Sequence, residues 1–314
     1  MALPLFWQTV VPFLIEESPF MLNKTKSTPG FGGTSSICRY HSIPLHIDEF
    51  NITAHMLYFL FHTVLRYRFA VVMQNLSRSF PERSYEEINH IATRFYRYFS
   101  HMFLEWLQMI LLSEKQMKKR VQVNNVALLE HYHAQKRNVI IMLGHYGNWE
   151  YANILPSYLS FDVHAVFKPL SNKLFDRIMR KLRSRFGIKL LSMDKVVRYM
   201  HANRERPGAY IFVSDQSPSQ ENRFTVDFLH QPTNVITGAE RIAKSLDAVV
   251  VYAVINKRAE SSHWEISFSL ITDQAATAPE HSITKTFSEF LEQDIRRSPE
   301  YWLWTHRRWK NNRS

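Results

Sequence analysis

Five consecutive apolar residues, Val139-Ile-Ile-Met-Leu143, lead directly into Gly144 and His145. A short apolar run without polar alternation is typical of a strand buried on both faces, as strands of parallel sheets are. Parallel sheets are covered by helices, so this run predicts an α/β fold. His145 would then stand at the carboxyl end of a strand, where ligands bind in such sheets.

Beyond residue 143 the chain alternates between strand-like and helix-like segments. Strands are predicted over 162–167, 188–192, 210–214, 249–255 and 264–271, an edge strand over 224–228, and helices over 172–186, 194–203, 237–246 and 283–297. Strands separated by helical stretches of about 10 to 15 residues indicate βαβ units. We therefore expect a mostly parallel central sheet flanked by helices.

The pattern divides the chain into three regions. Residues 1–52 form an atypical segment, rich in Pro, Gly, Ser and Thr over 16–50, which we expect to be poorly ordered. Residues 53–112 are predicted to be helical and membrane-associating, with Ser84 and Glu87 as a capping box for a helix ending near Leu112. Residues 113–314 would form the α/β catalytic domain.

Membrane association is predicted from two features of the helical region. The mostly apolar stretch Met56–Leu65 is closed by Arg66-Tyr67-Arg68 and is typical of an interfacial helix, while no run of 18 apolar residues predicts a span. The predicted helix up to Leu112 also carries an aromatic stripe, which would be plain core or a contact surface for an acyl chain or membrane. Its members are Phe95, Tyr96, Tyr98, Phe99, Phe103 and Trp106.

The charge balance points to an anionic partner. The formal charge is +11, and basic residues cluster with apolar ones in 115–120, 173–189 and 296–313. Nucleic acid, an anionic membrane face and an acidic carrier protein all fit this excess, and the 14% aromatic content favours a membrane–water interface. A merely solvated basic face is the alternative. Three of the eight glycines stand at 30, 32 and 33, and the other five, each beside a predicted strand or helix end, form no phosphate-binding loop. The single cysteine, Cys38, suits a reducing compartment.

His145 and Glu150 are the predicted catalytic pair. A histidine at a strand end with a carboxylate five residues on is typical of a general base and its orienting partner, and Gly147 between them permits a sharp turn. The alternative is a structural histidine near a helix start, where Glu150 is a favourable charge. No serine or cysteine lies in a nucleophile elbow, so direct attack by an acceptor hydroxyl is the simpler mechanism.

Two further polar clusters follow predicted strands. Lys168-Pro169 with Asn172, Arg183 and Arg185 would recognise phosphate or polarise a thioester carbonyl, or would form a solvated face. Asp215-Gln216 would orient a ligand hydroxyl, serve as a second partner for His145, or simply make a turn. The segment 300–310 would be an interfacial anchor, part of the site wall or a packed terminus. No grouping has metal-ligand spacing, so no metal site is predicted.

These residues resemble the bacterial lipid A biosynthesis (late) acyltransferases, members of the lysophospholipid acyltransferase superfamily. The likeness covers roughly residues 56–310 and departs from the family over the first 50. It lies in His145-Tyr-Gly-Asn-Trp-Glu150, a form most like members from the Bacteroidetes, and in Phe167-Lys-Pro169 with Asn172, Arg183-Ser-Arg-Phe-Gly187, Asp215-Gln-Ser-Pro218, Thr237-Gly-Ala-Glu240 and Pro299–Trp309. Lys168 stands where the family more often has arginine.

The resemblance implies a glycerolipid acyltransferase-like fold and a membrane-associated O-acyltransferase at the cytoplasmic face of the inner membrane. A fatty acyl group would pass from acyl-carrier protein or acyl-CoA, without a cofactor, to a hydroxyl of an anionic lipid A precursor. His145 would be the base and Glu150 its partner. The implied substrate-binding residues are Gly147, Asn148, Trp149, Phe167, Lys168, Pro169, Asn172, Arg183, Asp215 and Gln216.

Three alternatives to this function stay open at the level of sequence. In the first, an acyltransferase of the same superfamily would act on a lysophospholipid or an amino-acid lipid. The sequence does not distinguish these acceptors, because the shape of the pocket selects among them. Water in place of the acceptor hydroxyl would make the protein an acyl-thioester hydrolase. Nucleic-acid binding is suggested by charge alone and has no recognised motif behind it, so we expect no nucleic-acid partner.

Overall fold

The computed structural model describes residues 47–169, 171–218, 224–258 and 263–309. Most of the segment predicted to be poorly ordered, residues 1–46, lies outside the described residues. The predicted helical region begins six residues earlier than expected, because the first described helix already starts at Ile47. The division into three regions stays a prediction.

The N-terminal part of the described chain is helical. The elements are α1 (Ile47–Tyr58), a π-helical turn over Phe59–Val64, α2 (Phe69–Ser79), α3 (Tyr85–Leu111) and α4 (Glu114–Arg120). The predicted capping box is confirmed: the Ser84 hydroxyl accepts from the Glu87 backbone N–H, and the Glu87 carboxylate accepts from the Ser84 backbone N–H. Two orphan donors at the start of α3 are thereby satisfied.

None of the helices in the described ranges is, by itself, long and apolar enough to cross a membrane. Phe50–Val64 and Phe69–Ser79, which meet at a bend of 86°, satisfy the length and composition criteria when taken as a pair.

A seven-stranded sheet forms the centre of the molecule and confirms the predicted fold class. Its strands lie in the order β1-β9-β8-β2-β5-β3-β4, and every neighbouring pair is parallel except β8 with β9. Their bounds are β1 (Val121–Val123), β2 (Val139–Leu143), β3 (Val163–Phe167), β4 (Lys189–Ser192), β5 (Ala209–Val213), β8 (Val249–Lys257) and β9 (Trp264–Thr272). All five residues of β2 are buried, as its apolar run predicts.

The remaining strands form a separate hairpin. β6 (Phe224–Phe228) pairs antiparallel with β7 (Gln231–Val235) and not with the main sheet, so the strand predicted over 224–228 is present as one of the two edge strands of a hairpin. Its alternation of half-buried and exposed residues predicts a strand, but a pattern of period two does not identify the partner.

Helices and 3-10 turns cover the sheet. They are α5 (Val126–Ala134), a 3-10 helix over Trp149–Ser157, α6 (Lys173–Arg183), α7 (Val196–Ala202), α8 (Gly238–Leu246), α9 (Ser282–Arg297) and a 3-10 turn over Pro299–Tyr301. The long helix α3 packs on α6 and on the turn at 299–301. Its aromatic stripe therefore crosses the end of the sheet.

Candidate active site

His145 and Asp215 meet because they follow neighbouring parallel strands in register. Leu143 of β2 lies opposite Val213 of β5, and each candidate residue comes two positions later. The Nδ1 atom of the imidazole lies 2.5 Å from Oδ1 of Asp215, and the His145 backbone N–H donates to Oδ2 at 2.8 Å. One carboxylate thus fixes both the backbone and the ring of the histidine.

Asp215 is buried and held as an anion. Burial alone would raise its pKa, but the positive charge and hydrogen bonds of His145, with a hydrogen bond from Trp302, hold that pKa well below its usual range. The indole N–H of Trp302 donates to Oδ2 at 2.9 Å. Hydrogen bonds to the charged form favour ionisation, so a fixed negative charge stands behind the imidazole.

The contact with Asp215 determines which imidazole nitrogen can act as a base. A carboxylate only accepts hydrogen bonds, so Nδ1 carries a proton, and in the neutral form of the imidazole the lone pair is on Nε2. The carboxamide of Gln216 donates to Nε2 at 3.2 Å, and the His145 side chain is 15% exposed. Nε2 is therefore an accessible proton acceptor whose present partner is a neutral side chain that an incoming hydroxyl can replace.

Glu150 does not contact the imidazole, which corrects the predicted pairing. Its Oε1 lies 2.5 Å from Nη2 of Arg183, its Oε2 accepts from Arg183 Nε at 3.0 Å, and Asn153 donates to it at 3.1 Å. Burial alone would raise the pKa of Glu150, but the Arg183 charge and these hydrogen bonds lower it. The short 3-10 helix turns the carboxylate toward α6, where Arg183 lies.

The turn between His145 and the 3-10 helix requires glycine, as predicted. Gly147 has φ +58°, and a Cβ atom there would lie 1.9 Å from the Ile255 carbonyl oxygen. Its own carbonyl accepts from the Tyr98 hydroxyl at 2.7 Å, and its N–H donates to the Tyr301 carbonyl. The turn is thus held by the neighbouring strand, by α3 and by the C-terminal segment.

Asn148 and Trp149 differ in what they face. Asn148 is fully buried; it donates to Glu105 at 2.7 Å and accepts from the indole of Trp106 at 2.9 Å, so it braces the turn. Burial raises the pKa of Glu105. Trp149 instead packs edge-on against the His145 ring, with centroids 4.8 Å apart, and lines the cavity in front of it.

A mostly apolar cavity of about 190 Å³ opens in front of His145. Its polar lining comes from His145, Glu150, Ser171, Asn172, Arg183, Gln216 and Thr305, and its apolar lining from Tyr67, Phe99, Met102, Phe103, Trp106, Trp149, Phe175, Met179 and Leu303. The aromatic stripe of α3 therefore has two roles: Phe99, Phe103 and Trp106 reach the cavity, while Phe95 and Tyr96 are buried core.

Most residues of the predicted Lys168 cluster do not line this cavity. Lys168 and Pro169 are exposed and are not among the residues that line it. Phe167 is buried beneath Arg180, whose guanidinium carbon lies 4.4 Å from the ring centroid. Arg185 donates to the Leu112 carbonyl. Of the residues predicted in this region, only Asn172, which caps α6, and Arg183 reach the cavity.

The C-terminal segment forms part of the site wall. Trp302 holds Asp215, Leu303 and Thr305 line the cavity, and the Leu303 backbone N–H donates to the His145 carbonyl. Sequence reasoning marked 300–310 as a whole but not Trp302, and it missed Glu105. Trp302 is one of several tryptophans, and its neighbours in the sequence do not indicate that it contacts Asp215. Glu105 is a carboxylate within the aromatic stripe of α3, and that position is the sequence feature that could have identified it.

Within the described ranges, no three His, Cys, Asp or Glu side chains lie close enough together to hold a metal ion. The chemistry that the site itself offers is proton transfer, by an oriented imidazole next to an apolar cavity whose lining includes the Arg183 cation.

Comparison with known proteins agrees with the resemblance seen in the sequence. The sequence pattern of the family described as "Bacterial lipid A biosynthesis acyltransferase" matches residues 51–311. Similar proteins include a lipid A biosynthesis acyltransferase of Haemophilus influenzae, 21% identical over 73% of this chain and 72% of the relative. Two others are from Escherichia coli: a lipid A biosynthesis palmitoleoyltransferase (20%; 78% and 80%) and a myristoyltransferase (22%; 73% and 71%).

Proposed function

Because the chain belongs to the bacterial lipid A biosynthesis acyltransferase family and is therefore an acyltransferase, we propose that an acceptor hydroxyl, deprotonated by His145, attacks the acyl thioester directly. A fatty acyl group passes from a thioester to a hydroxyl of a lipid A precursor. The observation that carries this proposal is an Asp215-bound imidazole at the edge of an apolar cavity, with Gln216 as the hydrogen-bond partner of its Nε2.

The reaction needs one base and no acyl-enzyme intermediate. His145 Nε2 takes the proton of the acceptor hydroxyl as its oxygen bonds to the thioester carbonyl carbon. The tetrahedral intermediate then collapses, the carbon–sulfur bond breaks, and the proton passes to the departing thiolate. The side-chain partners of the imidazole within the described residues are Asp215 and Gln216, neither of them a hydroxyl or thiol nucleophile. This supports direct transfer over an acyl-enzyme.

Glu150 acts in this mechanism through Arg183. The buried Glu150 carboxylate and the partly exposed Arg183 guanidinium form a two-point contact, which orients the guanidinium at the cavity wall. A cation at that position stabilises the oxyanion that develops on the thioester carbonyl. In this proposal Glu150 orients the Arg183 cation, whereas the sequence predicted that it orients the His145 base.

The acyl chain is proposed to lie along the apolar wall of the cavity between α3 and α6. Nine of its sixteen lining residues are aromatic or aliphatic, and four of them come from one face of α3. Burial of an acyl chain against such a wall is favourable by about 0.8 kcal/mol for each methylene group. This supports a fatty acyl thioester, bound to acyl-carrier protein or to coenzyme A, as the donor.

Membrane docking is proposed for the exposed face of α1 and its π-helical turn. Ile52, Met56 and Phe59 follow one another at helical spacing and are 61%, 67% and 57% exposed. Two cations, Arg66 and Arg68, follow within the bend before α2. Exposed apolar side chains beside cations suit the interface of an anionic leaflet, which we take to be the cytoplasmic face of the inner membrane.

The basic face of α6 is proposed to engage the donor or the membrane surface. Lys173, Arg177 and Lys181 project from a helix in which Arg180 is already paired with Asp176 at 2.5 Å. An acidic carrier protein and an anionic leaflet both complement such a face. Whether acyl-carrier protein or coenzyme A carries the acyl group is decided by offering both donors to the protein.

The test is mass spectrometry of lipids after incubation with isotope-labelled acyl thioester and a lipid A precursor. Wild-type protein should yield labelled acylated lipid, and His145→Ala should abolish it while thermal unfolding stays unchanged. His90→Ala, which removes an exposed histidine of α3, serves as the control. Labelled free fatty acid without acylated lipid would show a hydrolase instead, and an active His145→Ala variant would refute the base.

A further inference from the structure

A second cavity of about 210 Å³ lies on the other side of α3 from the one in front of His145. Basic residues at helical spacing, Arg94, Arg97 and His101, line it from α3, and Lys257 lines it from the end of β8. Tyr98, Trp264 and Tyr301 form its aromatic wall.

Two carboxylates, Glu105 and Glu300, also line the cavity, and both already have hydrogen-bond or ion-pair partners. Glu300 is ion-paired with Arg94, and buried Glu105 is occupied by Asn148 and Trp264. Arg97 and Lys257 are exposed, and among the described residues neither forms a salt bridge. The Arg97 guanidinium stacks instead over the Tyr58 ring, with its carbon 5.6 Å from the centroid.

The cavity also adjoins the candidate active site. Met102 lines both cavities, and the Tyr98 hydroxyl donates to the carbonyl of Gly147, two residues after His145. β8 runs parallel to β2, so Lys257 and His145 stand at the same edge of the sheet. The two cavities therefore share a wall residue, and both lie at the carboxyl edge of the sheet.

We propose that the cavity between α3 and the end of β8 is a phosphate subsite, with Arg97 and Lys257 as its binding cations. An arginine fork and a lysine ammonium are the side chains that proteins use for phosphate esters. The phosphate belongs either to the lipid acceptor or to the phosphopantetheine arm of the donor. The choice of ligand rests on the proposed function. The anion-binding site itself is inferred from the cavity and from Arg97 and Lys257, independently of that function.

The test compares Arg97→Gln/Lys257→Gln with wild type in acyl transfer kinetics. For an acceptor phosphate, KM for the phosphorylated acceptor should rise about tenfold or more, the scale of one charge-assisted hydrogen bond, with kcat nearly unchanged. With a dephosphorylated acceptor, variant and wild type should have the same KM. A rise in the donor KM alone would assign the subsite to phosphopantetheine. Unchanged KM values for both substrates would overturn the proposal.

A matched control removes the same two charges elsewhere. Lys136→Gln/Arg206→Gln alters two exposed residues that precede β2 and β5, at the opposite edge of the sheet, and should leave both KM values unchanged. If wild-type protein transfers no acyl group, the proposed function fails, and titration with inorganic pyrophosphate then tests the subsite. Shifts in the His101 imidazole NMR signal that disappear in Arg97→Gln/Lys257→Gln support it; no shift in wild type rejects it.

Discussion

Replacing Asp215 by asparagine tests whether the contact between Asp215 and His145 makes the imidazole a base. The carboxylate accepts from the Nδ1–H and the backbone N–H of His145 and from the Trp302 indole. Asparagine keeps one oxygen, which stays with the two donors now bound to Oδ2, and turns its NH2 group toward Nδ1. The imidazole then accepts at Nδ1 and carries its proton on Nε2. Nε2 therefore has no lone pair with which to accept the proton of the acceptor hydroxyl.

The expected cost follows from the loss of a general base. Such bases contribute about 10²–10⁴-fold to the rate, which corresponds to about 3–5 kcal/mol of activation free energy. We expect Asp215→Asn to lower kcat by that factor, with little change in KM for the acyl donor. Initial rates of transfer from a labelled acyl thioester to a lipid A precursor measure this directly.

A control separates catalysis from stability. Asp294 is as buried as Asp215 and accepts from the Tyr252 hydroxyl at 2.7 Å, but it lies outside the cavity lining. Asp294→Asn should lower the unfolding temperature without a comparable loss of kcat. If Asp215→Asn kept its rate within a few-fold of wild type while its fold stayed native, the assignment of the base and its partner would be refuted.

Two further predictions follow from buried charges. Arg183→Met leaves Glu150 as a buried, unpaired carboxylate and should cost about 3–5 kcal/mol of unfolding free energy in urea titrations. Adding Glu150→Leu to that variant should restore much of this free energy. If the double variant instead lost the sum of the two single losses, the pairing would be contradicted. Burial, aided by the charge of His145, lowers the pKa of His306 to about 4, so protonation favours the unfolded chain. Unfolding free energy should therefore fall as the pH drops from about 6.5 to about 4, and His306→Gln should flatten that fall in urea titrations across this window.

Local patterns predicted the elements that are stabilised locally. The apolar run of β2 and the capping box at Ser84 each depend on residues within a few positions, and both are present in the structure. The same holds for Gly147, whose left-handed backbone conformation is a property of one residue. β6 shows the limit, since its alternation predicts a strand but says nothing about its partner.

The sequence by itself determined that His145 stands at the end of a buried strand and that acidic, amide and basic groups follow neighbouring strands. Only the tertiary structure decided which carboxylate the imidazole contacts. Glu150 is five residues away along the chain, yet the 3-10 helix directs it to Arg183, while the parallel register of β2 and β5 brings Asp215, seventy residues distant, to 2.5 Å. Strand register is set by packing over the whole sheet, which is why sequence spacing placed His145 at a strand end but paired it with the wrong carboxylate.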